Sequence, residues 1–274
     1  MMTTVDRAAS DRVSLGERGI ALVIALLAML VMAALGAALM LSAATESKIT
    51  RNFKNNVEAF YAADAALEKA VGELRAIPDW NLVLAGSVRS AFADGTPHGQ
   101  RVLGDGRTID LAEILNDINC GKRGGCTTAA LDAVTADRPW GSNNPRWQLF
   151  AWGHLRDVAS TGMINSRFYV LVLVADDPSE CDDNPFVDGG PIASCPSGTN
   201  VNPGAGVLML RTEAFGPFGA HRAIEVTIAR QDGTAKTPEV MPTGGTAENT
   251  GNTAGYAVSG GQGDVRILSW REAR

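Results

Sequence analysis

The sequence lacks the marks of catalysis. No G-x-S-x-G, P-loop or H-E-x-x-H occurs in its 274 residues, and the three histidines, His98, His154 and His221, stand far apart with no ligand or triad spacing. Each histidine reads as a surface or structural residue, and nothing makes a case for an enzyme. A basic stripe is missing too. The formal net charge is −6, which argues against nucleic acid as the main partner. Zinc is disfavoured, because no C-x-x-C occurs and no histidine lies close to a cysteine. The four cysteines form two close pairs, Cys120 with Cys126 and Cys181 with Cys195. Such spacing suits local disulfides in an oxidising compartment. No proline interrupts Ile20 to Ile77, and no charge occurs from Ile20 to Thr45.

The missing charges have the largest consequence. Ile20 to Leu41, "IALVIALLAMLVMAALGAALML", is long enough to cross a hydrocarbon core of about 30 Å as a helix. Leu, Ile and Val near its middle each favour insertion, and no Asp, Glu, Lys or Arg opposes them. The run exceeds the apolar core of a secretory signal, and no A-x-A-like site follows it, so the helix is expected to be retained. Flanking charge does not fix its orientation. Arg7, Arg12 and Arg18 precede the run in company with Asp6, Asp11 and Glu17, while Lys48, Arg51 and Lys54 follow it. The cysteines break the tie and place the C-terminal bulk outside the cytoplasm.

Helical character continues past the apolar run. Ile49, Phe53, Val57, Phe60, Leu67, Val71, Leu74 and Ile77 recur as one stripe at helical spacing, and alanines between them permit close approach of a neighbour. Pro78 supplies a stop. From Ile20 to Ile77 such a helix would run roughly 87 Å.

These residues carry a resemblance. "RG" before an apolar helix is similar to the processing site of type IV prepilins. The pieces "ALVIALL" and "AFYAADAALE" resemble the N-terminal region of PilX-type minor pilins over about the first 75 residues. Weaker echoes are "GVLMLRTEAFGPFGAHRAIEVTIAR" and "VRILSWREAR". The resemblance implies cleavage by prepilin peptidase after Gly19, leaving Ile20 as the mature and N-methylated terminus. It also assigns Ile24, Gly36, Phe53 and Phe60 to packing in the filament. Its fold would be α+β and pilin-like, with a long helix whose amphipathic half packs on an antiparallel sheet. The resulting divisions are a leader at 1–19, a transmembrane and filament-core half at 20–45, an amphipathic half at 46–77, a head at 78–230, a Gly/Thr-rich flexible loop at 231–264 and a final strand at 265–274.

One departure matters. Major pilins carry Glu at the fifth mature position, and Ile24 stands there. A carboxylate in the bilayer is costly unless a partner waits for it, and a first subunit has no neighbour ahead of it. The expectation is a subunit of the priming and tip complex, held in the bacterial inner membrane with its head in the periplasm and moved to the pilus tip on assembly. Other minor pilins, the major pilin and a PilY-type tip protein are the implied partners. A tip-type pseudopilin of type II secretion shares the missing Glu, and an envelope protein with a retained leader and a binding head is the rival from another class.

In the head, Arg107 to Ile118 and "TTAALDAVTA" read as helices. Strands are expected at Arg146–Trp152, Arg167–Ala175, Gly206–Gly216 and His221–Arg230, the last two joined as a hairpin through "FGPFGA". Trp140, Trp147 and Trp152 read as core more readily than as a binding face. The acidic stretch "ADDPSECDDNPFVDGGPIASC", which holds two cysteines, crowds Asp176, Asp177, Glu180, Asp182, Asn184 and Asp188 together. Calcium takes six to eight oxygen ligands in loop geometry, so a calcium site is one reading. A solvated turn tied by Cys181 and Cys195 is the other, since the EF-hand pattern fails at Phe186 and no Glu closes the loop.

Overall fold

The computed structural model describes residues 15–158, 164–180, 182–189, 206–231 and 264–273. Two compact units divide the chain, Met1–Phe53 and Lys54–Arg274. The first consists of helix α1 (Leu15–Leu74) as far as Phe53. Its large apolar side chains from Ile20 to Leu41 are 53% to 78% exposed, so none of the described residues covers them. This is the single described helix long and apolar enough to cross a membrane.

The second unit begins within α1. Alanine-rich sequence and the i,i+4 pairs Lys54–Glu58 and Lys69–Glu73 favour helix here. Ala59, Ala62, Ala63, Ala66, Leu67, Ala70, Val71 and Leu74 form its buried face. This face shares Leu67, Val71 and Leu74 with the predicted stripe and departs from it towards the N-terminal end. Phe53 is 71% exposed and Val57 sits at the margin, while the alanines do most of the packing because methyl groups let the helix backbone lie close to a sheet. The helix also stops at Leu74, short of Ile77. Trp80 Nε1 donates to Leu74 O at 3.1 Å, and Arg230 Nη2 donates to Ile77 O at 2.8 Å. Pro78 has no N–H to offer the Leu74 carbonyl, and these donors satisfy carbonyls that the helix end leaves open. Arg230 also stacks on Trp80, 4.3 Å from the ring centroid.

The sheet is an antiparallel meander of β3 (Gln148–His154), β4 (Tyr169–Asp176), β5 (Val207–Phe215), β6 (His221–Gln231) and β7 (Asp264–Ala273), in that spatial order. Val170, Val172, Val174, Leu208, Leu210, Ile224, Val226 and Ile228 join the α1 face in one core. The opposite side carries a second core, in which Tyr169, Leu171, Leu173, Trp147, Leu149 and Trp152 meet Leu111 of α3 (Leu111–Cys120). All eight residues of β4 are therefore buried, which is why its sequence reads as an unbroken apolar run. The architecture is α+β: a helix on one face of an antiparallel sheet and small elements on the other.

Those small elements differ from the sequence reading. Arg107–Ile118 is not one helix. Thr108–Asp110 is β2, pairing with β1 (Gln100–Val102), and the helix starts at Leu111 because the Asp110 carboxylate accepts from the Ala112 and Glu113 N–H groups. Gly121, at φ 67°, ends α3 in the left-handed region. The next helix is shorter than expected. α4 is Thr128–Leu131 alone, since Arg138 and Asn144 take the Leu131 carbonyl and turn the chain away. A further turn of helix, α2 (Asn81–Leu84), packs by β4.

Candidate functional site

The expected site residues fall into separate groups. Gly19, Ile20, Ile24 and Gly36 lie on the exposed part of α1, and an added Cβ at Gly19 or Gly36 would meet nothing within 4 Å. No packing inside the chain therefore asks for glycine at either place. In the second unit, Phe60 is half-buried against the helix–sheet core and meets Trp270 of β7 edge to face, 5.9 Å between centroids. Among Trp140, Trp147 and Trp152, the last two are buried, whereas Trp140 is 41% exposed.

Cys120 and Cys126 are joined in a disulfide with a Cα–Cα distance of 6.0 Å. It closes a short loop just beyond α3. Cys181 and Cys195 lie outside the described residues, as do 232–263 of the Gly/Thr-rich segment.

The acidic stretch is sorted by its local structure. Asp176 closes β4 opposite Leu208, and the chain then turns through Asp177–Glu180. Asp177 faces away and accepts from the Ser179 N–H and hydroxyl. Asn184 Oδ1 accepts from Phe186 N, and Asp188 Oδ1 accepts from Gly206 N at 2.8 Å. Asp176, Glu180 and Asp182 instead converge, each with one carboxylate oxygen within 4.8 Å of the others. Asp176 is 1% exposed and Glu180 5%. None of their four carboxylate oxygens has a hydrogen-bond partner. The Asp177 N–H exerts a weak pull on Asp176 from outside hydrogen-bond geometry.

Electrostatics follow from that crowding. Burial first, then repulsion from Asp182, Asp188 and Asp177, pushes Asp176 up to about 8. Burial and the same neighbours, led by Asp176, push Glu180 up to about 9. Burial also raises Asp188, to about 6, against the pull of the Gly206 N–H and Arg230. A group of hard oxygens with no His or Cys among them is suited to a cation such as calcium and unsuited to zinc.

A second polar cluster, not foreseen from the sequence, lines a cleft of about 990 Å³ beside α3 and the outer face of β5 and β6. Arg211 pairs with Glu213 at 2.7 Å and Glu225 at 2.6 Å, His221 Nε2 lies 3.1 Å from Glu213, and Arg271 reaches Glu225. Burial alone would raise the Glu213 carboxyl, but the His221 hydrogen bond and Arg211 outweigh it and hold the group below its ordinary value. Alternate positions on neighbouring strands carry this network. That pattern is visible only once the β5–β6 register is known, with Arg211 opposite Glu225.

Residues 18–68 match the family model described as PilX N-terminal. No curated protein and no solved structure matches the chain.

Proposed function

We propose that the chain is a type IV pilus-related pilin, and within that class a minor pilin of the priming and tip complex; the match of residues 18–68 to the PilX N-terminal model and one apolar helix suited to membrane anchoring support the reading. It is a structural subunit and not an enzyme. The observation that carries the reading is the uncovered face of α1. Leu, Ile, Val and Met from Ile20 to Leu41 stand exposed with no partner among the described residues. Such a surface needs a bilayer before assembly and a bundle of like helices afterwards.

Details of the helix support the finer reading. Glycine inside a helix costs about 1 kcal/mol relative to alanine. Gly19 and Gly36 bear that cost with no internal packing to require them. Close approach from outside accounts for both, by prepilin peptidase at Gly19 and by a neighbouring subunit at Gly36. Ile24 at the fifth mature position leaves no buried carboxylate to seek a neighbour's N-terminal amine, as suits a subunit with nothing ahead of it. The same residue suits a tip-type pseudopilin of a type II secretion filament, which is the second reading. Within the leading one, the partners are other minor pilins, the major pilin and a PilY-type tip protein. The chain rests in the inner membrane with its head in the periplasm, then moves to the pilus tip. The cation of the acidic cluster is read as calcium.

The test is the mature N-terminus. Mass spectrometry of the chain from its own cells is expected to find N-methylated Ile20 as the first residue, and the leader retained where prepilin peptidase is deleted. An unchanged mass in the deletion strain, or an intact leader in both, contradicts the proposal and favours a plain membrane anchor.

A further inference from the structure

The filament reading makes no use of Asp176, Glu180 and Asp182. Two of these carboxylates are buried, and their oxygens accept no hydrogen bond. No basic side chain lies within ion-pair distance of any of the three among the described residues. Compare Glu213 and Glu225, equally buried, which are tied to Arg211. Two oxygens facing each other across one calcium ion, at 2.3–2.6 Å each, stand at most about 5 Å apart. The mutual limit of 4.8 Å in this cluster is inside that reach.

A further buried oxygen is carried by a residue fastened to the same turn. Asn143 is 5% exposed and its Nδ2 donates to Pro178 O at 3.0 Å, fastening it to the turn between Asp177 and Glu180. Its Oδ1 is buried and has no partner. Nothing in the acidic stretch itself announces Asn143, which arrives from the segment before β3.

We propose that Asp176, Glu180 and Asp182, with the Asn143 amide oxygen, form a single-ion calcium site that clamps the end of β4 and its following turn to the Asn143 segment. The choice of ion rests on the calcium reading above, while the ligand set rests on burial and spacing and is independent of the pilus assignment. Hard oxygen donors from an irregular turn favour calcium over magnesium, which demands near-octahedral geometry. Remaining coordination positions are left to backbone carbonyls and water.

The test uses the full chain in detergent micelles, melted in EDTA and with added Ca²⁺ or Mg²⁺. At calcium a hundred times its dissociation constant, the melting temperature is expected to rise by about 5–10 °C. Mg²⁺ at the same concentration is expected to give less than a third of that. Glu180→Gln and Asp182→Asn are expected to lose the calcium response. In EDTA, Glu180→Gln is also expected to melt above the parent, because it removes a carboxylate that is buried without a partner. That reversal of sign is something a merely structural carboxylate would not give. Asn143→Ala is expected to weaken the calcium midpoint at least tenfold. No rise with Ca²⁺ in the parent, or an equal rise in parent and Glu180→Gln, overturns the proposal, and an equal rise with Mg²⁺ overturns the choice of calcium. No readout here depends on filaments, so failure of the site and failure of the pilin reading remain distinct.

Discussion

A carboxylate buried without a partner must be neutralised by a proton or a cation. Asp176 and Glu180 make that choice measurable. In the folded chain both titrate far above ordinary carboxylates, at about 8 and about 9. An acid whose folded value is raised binds protons more tightly when folded, so stability is lost as pH climbs from the unfolded value towards the folded one. In EDTA the melting temperature is therefore expected to fall by several degrees between pH 5 and pH 9, followed by circular dichroism. A flat or rising profile would contradict this. Glu213, held below its ordinary value, contributes a change of the opposite sign only in more acidic solution, outside that window. The sequence showed the crowding of acids but not its sorting. Which carboxylates turn inward depends on Asp176 being the final residue of a strand covered on both faces, and Asn143 is too distant along the chain for any spacing rule to find.

Among the elements, long periodic ones were legible and short ones were not. Strands β3 to β6 announced themselves as apolar or alternating runs, and the helix as a long uncharged segment followed by a stripe. The β1–β2 hairpin has three-residue strands, too brief to show a period, and α2 is a single turn. The C-terminal part of the predicted stripe, Leu67, Val71 and Leu74, is buried with the alanines beside it, while Phe53 near its start is exposed. Alanine decides how near a helix lies to a sheet. Close approach also governs the hairpin between β5 and β6. A Cβ at Gly216 would sit 2.0 Å from the Phe168 ring, and Phe168 is buried. Gly216→Ala is therefore expected to destabilise the head by roughly 1–3 kcal/mol through overpacking. Urea denaturation monitored by tryptophan fluorescence checks it, and an unchanged midpoint would mean that Phe168 moves aside freely.

For the whole molecule, the division into two units separates two environments. Ile20 to Leu41 offer an apolar surface that no described residue covers, and residues from Lys54 enclose their own two-sided core. As a tip subunit the chain is expected to appear in sheared filament fractions at low abundance, with gold-labelled antibody confined to filament ends. Even decoration along the shaft would reject the tip position while leaving the pilin assignment intact. One join within the head has a mechanical meaning. The last carbonyls after α1 are held by Trp80 and by Arg230, and Arg230 belongs to β6. That strand has neighbours on both sides, β5 and β7. Were the chain built into a filament as proposed, tension passing down α1 would enter the head at an inner strand, where two ladders share the load before either can unzip.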